Sequence, residues 1–160
     1  MITIRPFATE DHAWATNALT AHFGGPLVAR RGSLVEPLSL PGFVALVSSA
    51  RAGLLTYAPD STGVEVVTLF TDPPGRGVGQ ALMGAVAALV PAGGRLWLIT
   101  TNPNTDALRF YQRWGMDLVG IHRDAVTWAR TLKPSIPLAV DGIPLRHELE
   151  LEWRPPYRGG

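Results

Sequence analysis

A chain of 160 residues is long enough for one domain with a proper core, and 46% hydrophobic with 17% charged residues is a globular composition. A net charge of +1 argues against a dedicated nucleic-acid binder, which needs a strongly basic surface. The absence of cysteine excludes disulfides, thiolate metal sites and a cysteine nucleophile, and the histidines spell no metal site. The first residues, MITIRPFATEDH, lack the basic-then-apolar order of a signal peptide. No apolar run approaches the roughly 20 residues of a membrane span, so a soluble cytoplasmic protein with no membrane partner is expected.

In chain order, Ile2 to Phe7 alternates and predicts a strand. Thr9 reads as the N-cap of a helix carrying Glu10 and Asp11 in its first turn and Trp14, Leu19 and Phe23 on its buried side. Gly24-Gly25-Pro26 ends it, and residues 26–42, broken by Pro26, Pro37 and Pro41, are expected to be irregular. Phe43 to Ser49 and Leu54 to Ala58 predict an antiparallel hairpin turning at Arg51-Ala52-Gly53. After a turn at Asp60 to Gly63, the β-branched run Val64 to Phe70 predicts a central strand. A glycine turn and a helix to about Val90 follow, then the apolar strand Arg95 to Thr101, expected to be buried on both faces. Asn102-Pro103-Asn104 starts a helix that runs through Trp114 to Gly115, and Met116 to His122 is a further strand. Residues 123–144 hold a short helical stretch, DAVTWARTL, and a proline-rich loop. In the last strand, Leu145 to Trp153, Leu145, His147, Leu149, Leu151 and Trp153 face one way and Arg146, Glu148, Glu150 and Glu152 the other, which predicts half burial. The order predicts one α/β domain over residues 1–160, with a mixed, mostly antiparallel sheet of about seven strands and helices on both faces.

Gly75-Arg76-Gly77-Val78-Gly79 leaves a strand and enters a helix, so amide groups at the positive end of that helix offer a seat for a phosphate. A Walker A loop needs a lysine that this turn lacks. A dinucleotide fingerprint needs GxGxxG and a later acid, and here the spacing is GxGxG and the next strand ends Ile99-Thr100-Thr101. A glycine-rich turn that binds nothing remains the plain alternative.

Downstream stand Asn104, Ala107, Phe110, Tyr111, Gly115 and Met116. In this spacing, and together with Gly75, Gly77 and Gly79, the chain resembles the GNAT superfamily of acetyl-CoA-dependent N-acyltransferases, over essentially the whole domain to His122. Pro74 stands where that family's turn carries a leading Arg or Gln, and the turn is short after Asp72-Pro73. The tail, LKPSIPLAVDGIPLRHELELEW, resembles that of a bacterial subgroup of largely unassigned acetyltransferases.

The resemblance implies acetyl-CoA as co-substrate, with no metal, and a cradle formed by Gly75, Arg76, Gly77, Val78, Gly79 and Gln80. It implies that Tyr111 protonates the leaving thiolate, that Asn104 contacts the cofactor besides capping its helix, and that main-chain groups of Leu69 and Thr71 meet the pantetheine arm and thioester. Glu65, four residues before Leu69, stands where related histone acetyltransferases carry their catalytic glutamate; the alternative is a strand-end glutamate in water. His147 is expected in the core, His122 carries a weaker signal and His22 is expected at the surface. By the same resemblance, residues 24–42 and 123–144 wall the acceptor site, the second as a partial lid. Their Arg30, Arg31, Arg123, Arg130 and Lys133, the last the only lysine, are read either as favouring an anionic acceptor or as a solvated surface. Two functions follow as expectations: acetyl transfer to the amine of a small molecule, or less readily a peptide, in a direct ternary complex, and a non-catalytic acyl-CoA-binding module. The chain is expected to be a monomer or a homodimer, the dimer through its terminal strand.

Overall fold

The computed structural model describes residues 1–156; the last residues of the expected domain, 157–160, lie outside the described residues. The elements are β1 (Ile2–Pro6), a 3-10 turn (Thr9–Asp11), α1 (His12–Phe23), β2 (Val28–Arg30), β3 (Ser33–Val35), β4 (Gly42–Val47), β5 (Ala50–Asp60), β6 (Gly63–Thr71), α2 (Val78–Ala87), β7 (Arg95–Thr101), α3 (Thr105–Trp114), β8 (Asp117–His122), α4 (Ala125–Leu132), β9 (Ala139–Val140), β10 (Ile143–Pro144) and β11 (Glu148–Trp153). Seven strands form one sheet in the order β1-β4-β5-β6-β7-β11-β8, with β6 at its centre. Every neighbouring pair is antiparallel except β6 and β7. The expected mixed, mostly antiparallel architecture is therefore observed.

Alternation along the strands builds a core on each face. On one face, Leu82, Met83 and Val86 of α2 pack on Ala45, Leu55, Val64, Val66, Leu96 and Leu98, with Leu108, Phe110 and Tyr111 of α3 against the same cluster. On the other, Ala15 and Leu19 of α1 meet Val44, Leu54 and Phe70. Gly53 serves this packing, since a Cβ there would stand 2.8 Å from Val78 Cγ1. Each fully buried aliphatic side chain in such a cluster stabilises the fold by about 1.5–3 kcal/mol.

One irregularity organises the centre. Tyr57 pairs with Val66 and Thr56 with Thr68, so Val67 bulges out of the β5–β6 ladder. The bulge inverts the alternation: Val64 and Val66 pack under α2, but Phe70 packs under α1. The parallel β6–β7 ladder then ends at Val66 opposite Leu98, leaving a gap between the two strands beyond that point.

Several expectations are corrected. The β4–β5 turn is Ser48-Ser49, both at positive φ, and Arg51 to Gly53 belong to β5, because a two-residue hairpin turn matches strand twist better than the predicted glycine corner. Residues 26–42 are not wholly irregular: β2 and β3 form a small hairpin turning at Arg31 and Gly32. The terminal strand β11 lies inside the sheet, between β7 and β8, so it has no free edge through which a dimer would form. Its acidic face is covered in part as well: Glu148 is buried, with the Arg31 main chain against its carboxylate. No described helix is long and apolar enough to cross a membrane.

Candidate active site

Two cavities open where β6 parts from β7. One, of about 480 Å³, is lined by Leu69, Thr71, Pro74, Gly75, Gly77, Val78, Gly79, Gln80 and Tyr111, among others. The other, of about 490 Å³, lies on the opposite side and is lined by Glu65, Val67, Thr100, Asn104, Glu148 and residues of β2, α4 and the segment after it. Along β6 a single residue, Thr68, separates the lining of one from the lining of the other.

The first cavity is built from the glycine turn. Gly75 and Gly77 have φ of 86° and 77°, left-handed values that other residues adopt only with strain. Gly77 caps α2 with no side chain over its amides, and space around Gly75 is open, with no atom within 4 Å of where a Cβ would sit. The first-turn amides of α2 thus face an unobstructed concavity at the positive end of the helix. Gly79 has a different reason to be glycine: a Cβ there would lie 3.0 Å from the Phe110 ring, so it lets α2 and α3 approach. Arg76 is exposed within the turn. Tyr111 stands on α3 against the edge of the Phe110 ring, and burial pushes its phenol pKa up. A group held protonated in this way is a proton donor at neutral pH.

The second cavity holds the titratable chemistry. Alternating with Val64 and Val66, Glu65 points away from the α2 face and is only 2% exposed. Its Oε1 lies 2.6 Å from Arg30 Nη2, while its Oε2 and Arg30 Nε have no partner among the described residues. Burial pushes the Glu65 pKa up to about 7, against the opposing pull of Arg30. Glu148, 3% exposed, accepts the Arg31 main-chain N–H at 3.2 Å from each oxygen. Burial raises its pKa as well, and the Arg31 amide pulls the other way. The β2–β3 hairpin delivers both contacts: Arg31 has a φ of 49°, and this tight turn aims Arg30 at one carboxylate and the Arg31 amide at the other.

The remaining candidates separate. Asn104 sits at the N-cap position of α3, but its Nδ2 donates to Thr100 Oγ1 at 3.0 Å and it lines the Glu65 cavity, not the glycine cavity. His22 stacks on Phe70 at 4.9 Å and lines the Glu65 cavity. His147 accepts the Asp124 N–H through Nδ1, and His122 Nε2 meets Glu150 at 3.0 Å; neither lines either of these two cavities. Of the basic residues read as anion contacts, Arg31 pairs with Glu150, Arg130 donates to the carbonyls of Ile136, Pro137 and Leu145, and Lys133 donates to those of Phe23 and Leu27. Arg123 is exposed. Glu148 escaped the sequence reading because strict alternation assigned it to a solvated face. The structural role of Arg30 had only the local signal of an Arg-Arg-Gly turn between short apolar runs.

A sequence model of the Acetyltransferase (GNAT) family matches residues 13–116. The uncharacterized protein YdhI of Bacillus subtilis (strain 168) is 34% identical over 138 residues, covering 84% of this chain and 86% of YdhI. Among solved structures, a GNAT family acetyltransferase from Elizabethkingia anophelis with acetyl-CoA bound has a TM-score of 0.68 and 16% identity, covering 96% of this chain and 97% of its own. Arabidopsis thaliana Naa50 in complex with the bisubstrate analogue CoA-Ac-MVNAL has a TM-score of 0.68 and 13% identity, covering 95% of this chain and 97% of its own. The family match spans well over half of the chain, and the sheet order and glycine turn agree with it: this chain belongs to the GNAT family of acetyltransferases.

Proposed function

We propose that the chain, acting as one domain, is an N-acetyltransferase that moves an acetyl group from acetyl-CoA directly to the amine of a small molecule. The observation that carries this reading is the junction at Thr68: a cavity with open helix amides and a protonated Tyr111 on one side, and a cavity with a buried, near-neutral-pKa carboxylate on the other. The acetyl-CoA and bisubstrate ligands of the Elizabethkingia and Arabidopsis proteins support the choice of co-substrate. The residues present fit it. The turn around Gly75 and Gly77 leaves room for a pyrophosphate against the α2 amides, and Gly75, Arg76, Gly77, Val78, Gly79 and Gln80 are assigned to hold it. The gap beyond Val66 frees main-chain groups of β6 near Leu69 and Thr71 for the pantetheine amides and the thioester oxygen. Acetyl-CoA supplies an activated acyl group and a thiolate leaving group.

The chain's residues supply position and protons. The acceptor reacts as the neutral amine, its ammonium proton having left to solvent, and Glu65 accepts the proton that the nitrogen sheds as it attacks, as its pKa near 7 suits. The amine nitrogen bonds to the acyl carbon, and the carbon–sulfur bond breaks. Tyr111 gives its phenolic proton to the departing sulfur and regains one from solvent, while Glu65 releases its own. The products are an acetamide and free coenzyme A. Asn104 is assigned to hold the β7 end of the acceptor cavity through Thr100 and not to hold the cofactor.

The test is thiol release from acetyl-CoA across a panel of amines, amino acids and peptides. Release with a small amine is the expected result. Binding of coenzyme A with no release from any amine would favour an acyl-CoA-binding module instead.

A further inference from the structure

The Glu65 cavity holds a buried carboxylate without an ion-pair partner that the transfer chemistry does not use. Two buried carboxylates, Glu65 and Glu148, line it. One guanidinium, Arg30, is paired with Glu65. Among the described residues no cation forms an ion pair with Glu148, although His122, Arg31 and Arg30 are near enough to favour its charged form. The guanidinium of Arg31 is drawn to Glu150 at 3.0 Å and lies over the Trp97 ring. The Lys133 ammonium is held between the carbonyls of Phe23 and Leu27, both at 2.8 Å, where it neutralises the C-terminal end of α1. Arg130 is spent on three carbonyls, and His122 on Glu150. Glu148 is left with two long bonds from one main-chain amide. A carboxylate taken out of water with no cation in contact is costly, and a carboxylate on a cavity wall can obtain one from a ligand. The same lining includes the hydrocarbon side chains of Val67, Val126, Ala129, Ile136 and Leu145, beside the polar Thr100, Asn104 and Ser135.

Taking the proposed acetyl transfer as given, we infer that the acceptor is a compact molecule with two cationic nitrogen centres joined by an apolar spacer, one seated against Glu148 and the other presented at Glu65 for acetylation. Glu148 is then a specificity-determining residue, outside the proton transfers. The cavity volume of about 490 Å³ suits a small ligand. The inference replaces the anionic acceptor that the arginines of these walls suggest in the sequence, because Arg30, Arg31 and Arg130 are occupied by the protein itself and Arg123 does not line the cavity.

The test uses α,ω-diaminoalkanes of two to six carbons, each beside the monoamine of equal length. Binding is measured by calorimetry on the full chain with coenzyme A present, and transfer by thiol release from acetyl-CoA. At the best length the diamine is expected to bind and react at least about tenfold better than its monoamine, the gain of one charge-assisted hydrogen bond. In Glu148→Gln that ratio is expected to collapse towards one, chiefly through Kd and KM, while Glu148→Asp restores part of it. Thermal melting checks that both variants fold. Equal binding of diamine and monoamine in the wild type, or an undiminished ratio in Glu148→Gln, would overturn the inference even if monoamines are acetylated. A diamine preference in binding that Glu148→Gln abolishes, with no thiol released, would sustain the cationic site and sink the transferase reading.

Discussion

Glu65 and Arg30 form a half-made pair: Oε1 meets Nη2 at 2.6 Å, yet the second carboxylate oxygen and the guanidinium Nε are buried with no partner among the described residues. The interaction is strong enough to orient the acid and too incomplete to keep its pKa low. Because the folded pKa of Glu65 is raised from 4.5 to about 7, the stability it contributes is present below about 4.5 and is lost as pH rises through 7. Glu65→Gln is therefore expected to melt no lower than the wild type at pH 8, while kcat/KM falls by about a hundredfold or more. Activity and melting measured on the same preparation check both halves. A marked drop in Tm would mean that lost folding, not a lost base, explains the rate.

Arg30 opposes the burial that raises the pKa of the proposed base. In its proposed role as base Glu65 would work ionised, so the wild-type rate is expected to fall as pH drops below about 7. Arg30→Met removes the attraction that opposes burial, and the acidic limb of the kcat/KM profile is expected to move to higher pH. An unmoved limb would assign that limb to another group.

Tyr111 is tested more simply. Its phenol is kept protonated by burial, and the proposed role needs only that proton. Tyr111→Phe is expected to lower kcat by about tenfold to a hundredfold with little change in coenzyme A affinity. A variant turning over like the wild type would remove the residue from the mechanism.

The parts of this site that could be read from the sequence are those made by local rules. The Gly75 to Gly79 turn, the α3 positions and the central strand are contiguous patterns with one physical reason each. Glu65 was legible as a charge in an apolar run. What was not legible depends on distant partners. Period-two alternation puts Glu65 and Leu69 on one face, and only the Val67 bulge, visible in the pairing with β5, sends them to different cavities. Alternation also sent Glu148 to solvent, because no local pattern tells that β11 lies between two strands and under the Arg31 turn. The basic residues of the walls looked like anion ligands until their carbonyl and carboxylate partners, up to more than a hundred positions away, were known.

The glycines of the turn are expected to separate by mechanism. Gly79→Ala forces a methyl to within 3.0 Å of the Phe110 ring and should destabilise by about 1–3 kcal/mol. Phe110→Leu in the same chain should recover part of that loss, since the two positions share one contact. Gly75→Ala meets no neighbour, only the strain of a φ of 86°, and is expected to cost about 1 kcal/mol while weakening coenzyme A binding more than Gly79→Ala does. Melting and coenzyme A titration of the three variants distinguish them. Equal loss of coenzyme A affinity in Gly75→Ala and Gly79→Ala would undo the division of roles.

Asp11 is the counterpart of Glu65, a buried acid whose pairing is complete. Its carboxylate accepts Arg5 at 2.7 and 2.8 Å, Arg51 Nε at 2.8 Å and the Ala8 N–H at 2.9 Å, tying β1, β5 and the start of α1 together. The hydrogen bond from Arg5, helped by Arg51, outweighs burial and holds its pKa far below the usual carboxylate range. The sign is therefore opposite to that of Glu65: the stability is present above the unfolded value of about 4 and is lost as pH falls towards the folded one. Asp11→Asn keeps the shape but breaks the charge complement, and is expected to destabilise by about 2–3 kcal/mol at pH 7, because the two arginines are partly exposed and recover some hydration. Denaturant unfolding at pH 7 and pH 3 checks it: the gap between wild type and variant should narrow at the lower pH, where the unfolded wild-type chain takes up the proton that its folded state refuses. A gap that stays constant between the two pH values would mean that Asp11 acts through its shape and hydrogen bonds and not through its charge.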